Sequence, residues 1–302
     1  MLHFAAHALP PDLLIRDWYE ARALWAGLLA LGPPRALVIM PDHVHLVTRN
    51  LSWEAWLGFL RGFACWRNHH RAEPGRCVWL PASQPETLND RKHLQRTLRY
   101  VALNPCRDRL VDDPLSWPFS GHRDAVGLAV PGVLPTVRDP VWHHSYVSGD
   151  PSVRVEGTEL PFGIQGMRCA SADQVTAAVS ALTRTTLDQL RTRGPARTLW
   201  MQCLLACTPL SKRAVARVVG VSHTAVNRIE HAPNGVLQCV ERVIGDARFP
   251  ALLDQDLGHS WEWSRYRETR IRKGAYDLLL RNAAPQLRRR AFARRGGIVV
   301  HG

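Results

Sequence analysis

The chain has 302 residues, 46% hydrophobic and 22% charged, with a formal net charge of +13. That length supports about two domains that fold without covalent staples, and the composition excludes a disordered or collagen-like chain. No apolar run reaches the roughly 20 residues of a membrane span, while the basic surplus points to a polyanionic partner.

The first ten residues lack the basic, apolar, small order of a signal peptide, so the chain is expected in the cytoplasm, associated with the nucleoid. Its seven cysteines, Cys65, Cys77, Cys106, Cys169, Cys203, Cys207 and Cys239, contain no C-x-x-C pair. They are expected as thiols rather than as a zinc ribbon.

Residues 2–8 read as a short strand. Over 12–31, Leu14, Trp18, Ala21, Trp25 and Leu28 recur at helical spacing, and Pro33-Pro34 end that helix. The apolar run 35–40, the pair Pro41-Asp42 and the run 43–48 predict two strands joined by a tight turn. Ser52 caps a second helix carrying Trp53, Trp56, Leu57, Leu60 and Phe63. Residues 78–80 are a further candidate strand, and Asn89-Asp90 opens a third helix expected to finish near Pro105. The order β-α-β-β-α-β with a further helix predicts an α+β fold with a ferredoxin-like or palm-like antiparallel sheet.

Residues 129–162 are rich in Pro, Gly, Ser and Val without a sustained period, which predicts a linker. Short helices follow, the first with Val175, Val179 and Leu182 on one face. Residues 212–229 fit a helix-turn-helix: Ala216 is small where two helices cross, Gly220 suits a left-handed turn, and Val226 and Ile229 face inward. Ser222, His223, Thr224, Asn227 and Arg228 then face outward toward base edges and phosphates of duplex DNA. An ordinary helical hairpin is the plain alternative. Arginine clusters at Arg265, Arg267, Arg270 and Arg272, and at 288–290 with Arg294 and Arg295, suit a phosphate-binding arm. The expected organisation is a first domain over 1–128, a linker over 129–162, an all-α helix-turn-helix domain over 163–235 and a basic region over 236–302.

Two groupings carry chemistry. His43 and His45 flank Val44, and on a strand such i, i+2 residues share a face, where two imidazoles grip one divalent ion. Polar residues near a sheet end have the same pattern. Tyr100 and Asn104 lie four apart and share a helix face, placing a nucleophile beside a carboxamide ligand. A core tyrosine with Asn104 capping the helix before Pro105 is the plain reading.

The segment Val38-Ile39-Met40-Pro41-Asp42-His43-Val44-His45-Leu46, the string from Tyr100 to Pro105, and the downstream Trp117-Pro118-Phe119-Ser120 and His122-Arg123 closely resemble the single-tyrosine HUH transposases. Within them they are most similar to the REP-associated tyrosine transposases. The resemblance implies an HUH nuclease domain in which His43, His45 and Asn104 bind Mg²⁺ or Mn²⁺ and Tyr100 is the nucleophile. It further implies a transposase that cleaves and rejoins single-stranded or hairpin DNA through a 5′-phosphotyrosine intermediate, with a homodimer as an allowed assembly. Two alternatives remain beside it: a non-catalytic DNA-binding regulator derived from a transposase, and an unrelated His-x-His hydrolase using an activated water.

Overall fold

The structure, a computed structural model, describes residues 1–9, 13–72, 78–130, 134, 136–157, 160, 170–244 and 246. They fall into two compact units, drawn from Met1–Leu110 and Val111–Gln255. The arginine clusters beyond residue 246 lie outside the described residues, as do Asp12, Cys77 and Cys169. Among the described residues no helix is long and apolar enough to cross a membrane.

The first unit is α+β. Its elements in chain order are β1 (Leu2–His7), α1 (Trp18–Ala30), β2 (Ala36–Ile39), β3 (His43–Thr48), α2 (Trp53–His70), β4 (Glu86–Thr87) and α3 (Arg91–Arg107). The four strands form an antiparallel sheet in the order β2-β3-β1-β4. Thus β3 lies between β1 and β2, the two strands that α1 connects.

Three boundaries differ from those expected. Helix α1 starts at Trp18, because Leu14 N–H donates to the Pro41 carbonyl (2.7 Å) and the Asp17 carboxylate caps the helix by accepting from Glu20 N–H (2.8 Å). Residues 78–80 contribute a single bridge, Trp79 to Ala8, and the edge strand β4 forms later, at Glu86–Thr87. Helix α3 does not finish at Pro105 but runs through it to Arg107. The proline falls in the last turn, so it forfeits one bond, to the Val101 carbonyl, while Asp108 N–H still closes on the Asn104 carbonyl (3.1 Å).

Residues directly opposite in an antiparallel pair share a face, so the register separates two chemistries. Phe4 and Ala6 of β1 lie with Leu46 and Val44 of β3 and Leu37 and Ile39 of β2 on one face, all buried. Trp56 of α2 packs there, its ring 5.3 Å from that of Phe4. Burying each such large side chain contributes about 1.5–3 kcal/mol. The other face carries His3, Ala5 and His7 opposite Val47, His45 and His43.

The second unit is helical: α4 (His122–Ala125), α5 (Pro140–Ser148), α6 (Ala172–Thr183), α7 (Leu187–Arg191), α8 (Pro195–Cys207), α9 (Lys212–Val219), α10 (His223–Asn227) and α11 (Asn234–Ile244). Leu182, Trp200, Leu204, Val215, Val226 and Val240 lie in one buried cluster. Leu115, Val126 and Leu128 join it, so residues 111–128, expected in the first domain, pack in this unit. The expected linker contains α5, which Asp139 caps and Pro140 opens. The first residues of the expected basic region form part of α11, with Val240 and Val243 buried.

Polar fasteners hold this unit too. Arg184, in the left-handed region (φ 54°), pairs with Asp124 (2.6 Å) and donates to the carbonyls of Pro118 and Ser120. Burial, reinforced by neighbouring Arg184 and opposed by Asp124, brings Arg123 down to about 9. Cys203 and Cys207 are buried thiols that burial pushes up to about 12 and about 11, consistent with packing rather than reactivity.

Candidate functional site

The histidine face of the sheet holds the candidate site. An i, i+2 step along a strand advances roughly 6.8 Å and an i, i+4 step along a helix roughly 6 Å, so about one turn of α3 matches one same-face step of β3. The chains run so that Asn104 meets His43 and Tyr100 meets His45. Asn104 Oδ1 lies 3.2 Å from His43 Nε2, and the Tyr100 ring stands edge-on to that of His45 with centroids 5.4 Å apart. The rings of His43 and His45 are 5.0 Å apart. All four sequence-predicted residues are therefore brought together.

Their exposure divides them by role. His43, His45 and Asn104 are 2%, 4% and 3% exposed, whereas Tyr100 is 39% exposed. Three groups with ligand atoms sit under cover beside one part-exposed tyrosine. The Arg107 guanidinium lies over the Tyr100 ring, 5.4 Å from its centroid.

Proton positions follow from the partners. The Asp42 carboxylate, in the turn between β2 and β3, approaches His43 Nδ1 to 2.6 Å, so Nδ1 carries the proton. In the neutral ring Nε2 then presents a lone pair toward Asn104 Oδ1, itself an acceptor. The Asn104 carboxamide thus lies within hydrogen-bond distance of His43 Nε2, and a carboxylate anchors the far nitrogen of the imidazole, as is common for metal-binding histidines. Asn104 Nδ2 is buried without a hydrogen-bond partner among the described residues. Two imidazole nitrogens and a carboxamide oxygen are donor types that could hold a divalent ion.

Sequence reasoning missed several neighbours. His7 stacks on His43 with ring centroids 4.9 Å apart. His3 Nε2 lies 3.0 Å from His45 Nδ1, and His3 Nδ1 lies 3.2 Å from Glu86 Oε2. Glu86 Oε1 also accepts from His93 Nε2 (3.0 Å). The hydrogen bond from His3, with one from His93 and the charges of both, holds the Glu86 carboxyl below its usual range against the opposing effect of burial. The signal for His3 and His7 was the same period-2 spacing that marked His43 and His45; Glu86 had none.

A second cluster satisfies the geometry of an all-His/Cys/Asp/Glu site among the described residues: Asp17, Glu20 and His70, with ligand atoms within 4.8 Å of one another. There the Glu20 carboxylate is already held by Arg71 through both oxygens and by Arg16 N–H.

In the second unit, Gly220 ends α9 in the left-handed conformation (φ 77°) and Val226 is fully buried. Ser222, His223, Thr224, Asn227 and Arg228 are all exposed. Ser222 Oγ caps α10 by accepting from Ala225 N–H (3.2 Å), and Asn227 Nδ2 contacts His223 Nδ1 (3.4 Å). The second helix of the motif is short, closing at Asn227.

No known family's sequence profile matches the chain, and no curated protein matches it. A solved structure described as a REP-associated tyrosine transposase bound to a REP hairpin is similar to part of it. The two are 20% identical over 44% of this chain and 81% of that one, with a TM-score of 0.34.

Proposed function

We propose that the first unit is an HUH-type single-tyrosine nuclease domain of the REP-associated kind, and that the protein breaks and rejoins single-stranded DNA. The observation that carries this reading is the convergence of Asn104 on His43 and of Tyr100 on His45. The strand order β2-β3-β1-β4, with β3 between the strands joined by α1, supports the ferredoxin-like architecture on which the reading rests.

His43, His45 and Asn104 would hold Mg²⁺ or Mn²⁺, which when bound polarises the scissile phosphate as a Lewis acid. Tyr100 attacks the phosphorus in line. A bond forms between its phenolic oxygen and phosphorus, the bond from phosphorus to the 3′ oxygen breaks, and the phenol proton ends on the departing 3′ hydroxyl. The 5′-phosphotyrosine link conserves the phosphodiester, so a later 3′ hydroxyl rejoins the strand by the reverse displacement. Arg107 beside the phenol adds positive charge where phosphate charge must be met. The exposed residues around α10 would bind duplex DNA.

Incubating the protein with Mn²⁺ and end-labelled hairpin-flanked single-stranded DNA tests this. A covalent protein–DNA adduct is expected, absent with Tyr100→Phe and absent with chelator. An adduct that persists in Tyr100→Phe refutes the assignment. Turnover without any adduct would favour an activated-water hydrolase.

A further inference from the structure

His45 is the ligand candidate whose orientation the sequence leaves unexplained, since no carboxylate adjoins it in the chain as Asp42 adjoins His43. The sheet register supplies one at a distance. Glu86 of β4 lies opposite His3 of β1, and His3, two strands from β2, is turned to the same face as His45. The three side chains are in hydrogen-bond order: Glu86 Oε2 to His3 Nδ1 (3.2 Å), then His3 Nε2 to His45 Nδ1 (3.0 Å), with the His3 and His45 rings stacked at 5.1 Å.

An ionised carboxylate only accepts, so His3 carries its proton on Nδ1. Neutral His3 then offers the Nε2 lone pair, and the proton between the two rings belongs to His45 Nδ1. The Nε2 of His45 is thereby left as a lone-pair atom, the state a metal ligand requires. The same carboxylate reaches His93 at the start of α3, the helix that carries Tyr100 two turns further on. One exposed glutamate thus touches both the chain of protons to the ligand and the helix that bears the nucleophile.

We infer that Glu86 and His3 are positioning residues, a relay that locks His45 in its Nδ1–H tautomer and ties α3 to the sheet edge at the same carboxylate. The inference rests on the metal role proposed above for His45. It predicts that the relay, and not His45 alone, sets the affinity of the site for the ion. Partners of this kind change metal affinity by roughly 10–100-fold when removed.

Two readouts on the full chain separate the relay from the metal reading. Long-range ¹H–¹⁵N spectra of the metal-free protein, with the His45 signals assigned by their loss in His45→Gln, report its tautomer. Mn²⁺ titration followed by electron paramagnetic resonance reports affinity. The expected result is a His45 Nδ1–H tautomer in the parent protein, which shifts toward Nε2–H in Glu86→Ala and His3→Ala, with Mn²⁺ affinity roughly 10–100-fold weaker in both. His3→Gln, whose carboxamide oxygen accepts from Nδ1–H, is expected to recover most of both properties. Circular dichroism checks folding, and the exposed Glu86 carries the test where His3→Ala does not fold. An Nε2–H tautomer in the parent protein, or an unchanged tautomer or affinity in Glu86→Ala, overturns the relay. Failure of the parent protein to bind Mn²⁺ at all defeats the metal reading instead, and the affinity prediction with it, while the tautomer still decides the proton order.

Discussion

Both units bury polar side chains, but they do so differently. In the first, His3, His7, His43, His45 and Asn104 gather at one sheet face, imidazole beside imidazole, with Asn104 Nδ2 lacking a hydrogen-bond partner among the described residues. In the second, Arg184 and Asp124 answer one another and the carbonyls of Pro118 and Ser120. A fastener is saturated by the protein's own groups. The histidine face instead gathers groups of one kind, which a cation is able to bridge.

That contrast breaks if a fastener behaves as a site residue, and the largest test is Arg184→Gly. Glycine accepts the φ of 54°, so the backbone is not strained while the whole buried side chain, with the guanidinium that pairs with Asp124, is lost. Stability of the second unit's transition should fall by about 3 kcal/mol in urea denaturation, with Mn²⁺ affinity unchanged. A fall in metal affinity would show that the two classes of buried polar group are not separable.

A smaller effect distinguishes neutral buried imidazole from ligand imidazole. His122 is buried against His144, with its Nε2 3.0 Å from His144 Nδ1. Burial first, then the neighbouring His144 and His143, brings it well below its ordinary 6.5. A histidine depressed in the folded state is protonated first in the unfolded chain, so stability is lost as pH falls below about 6.5 and the loss levels off below the folded pKa. Between those limits the slope contributed is at most roughly 1.4 kcal/mol per pH unit. Denaturation midpoints between pH 7 and pH 5 should therefore decline less in His122→Gln than in the parent protein. Equal declines would contradict the assignment of His122 as a neutral core group.

How much of this was legible in the chain depended on whether the signal was local. Period-2 spacing in the β2–β3 hairpin placed His43 and His45 on one face, and the four-residue spacing placed Tyr100 and Asn104 on another element's face. That the two faces meet was supplied by the family resemblance. His3 was equally periodic, but with His7 four positions away it formed no His-x-His pair. Glu86 was invisible, because its role arises from its pairing opposite His3 across 83 positions of sequence. The packing of 111–128 with the helical unit was likewise non-local: Leu115, Val126 and Leu128 have no period that names their partners. The α5 helix hid in a Pro- and Gly-rich stretch, where Asp139 and Pro140 were its only start signals.

The central claim is that the imidazoles of the hairpin and the carboxamide of α3 share one ion beside the phenol. Crystals grown with Mn²⁺ and measured at the manganese absorption edge locate that ion without reference to activity. The account predicts an anomalous peak bonded to the Nε2 atoms of His43 and His45 and to Asn104 Oδ1, next to Tyr100. Manganese at Asp17, Glu20 and His70 instead, with none on the sheet, would contradict it.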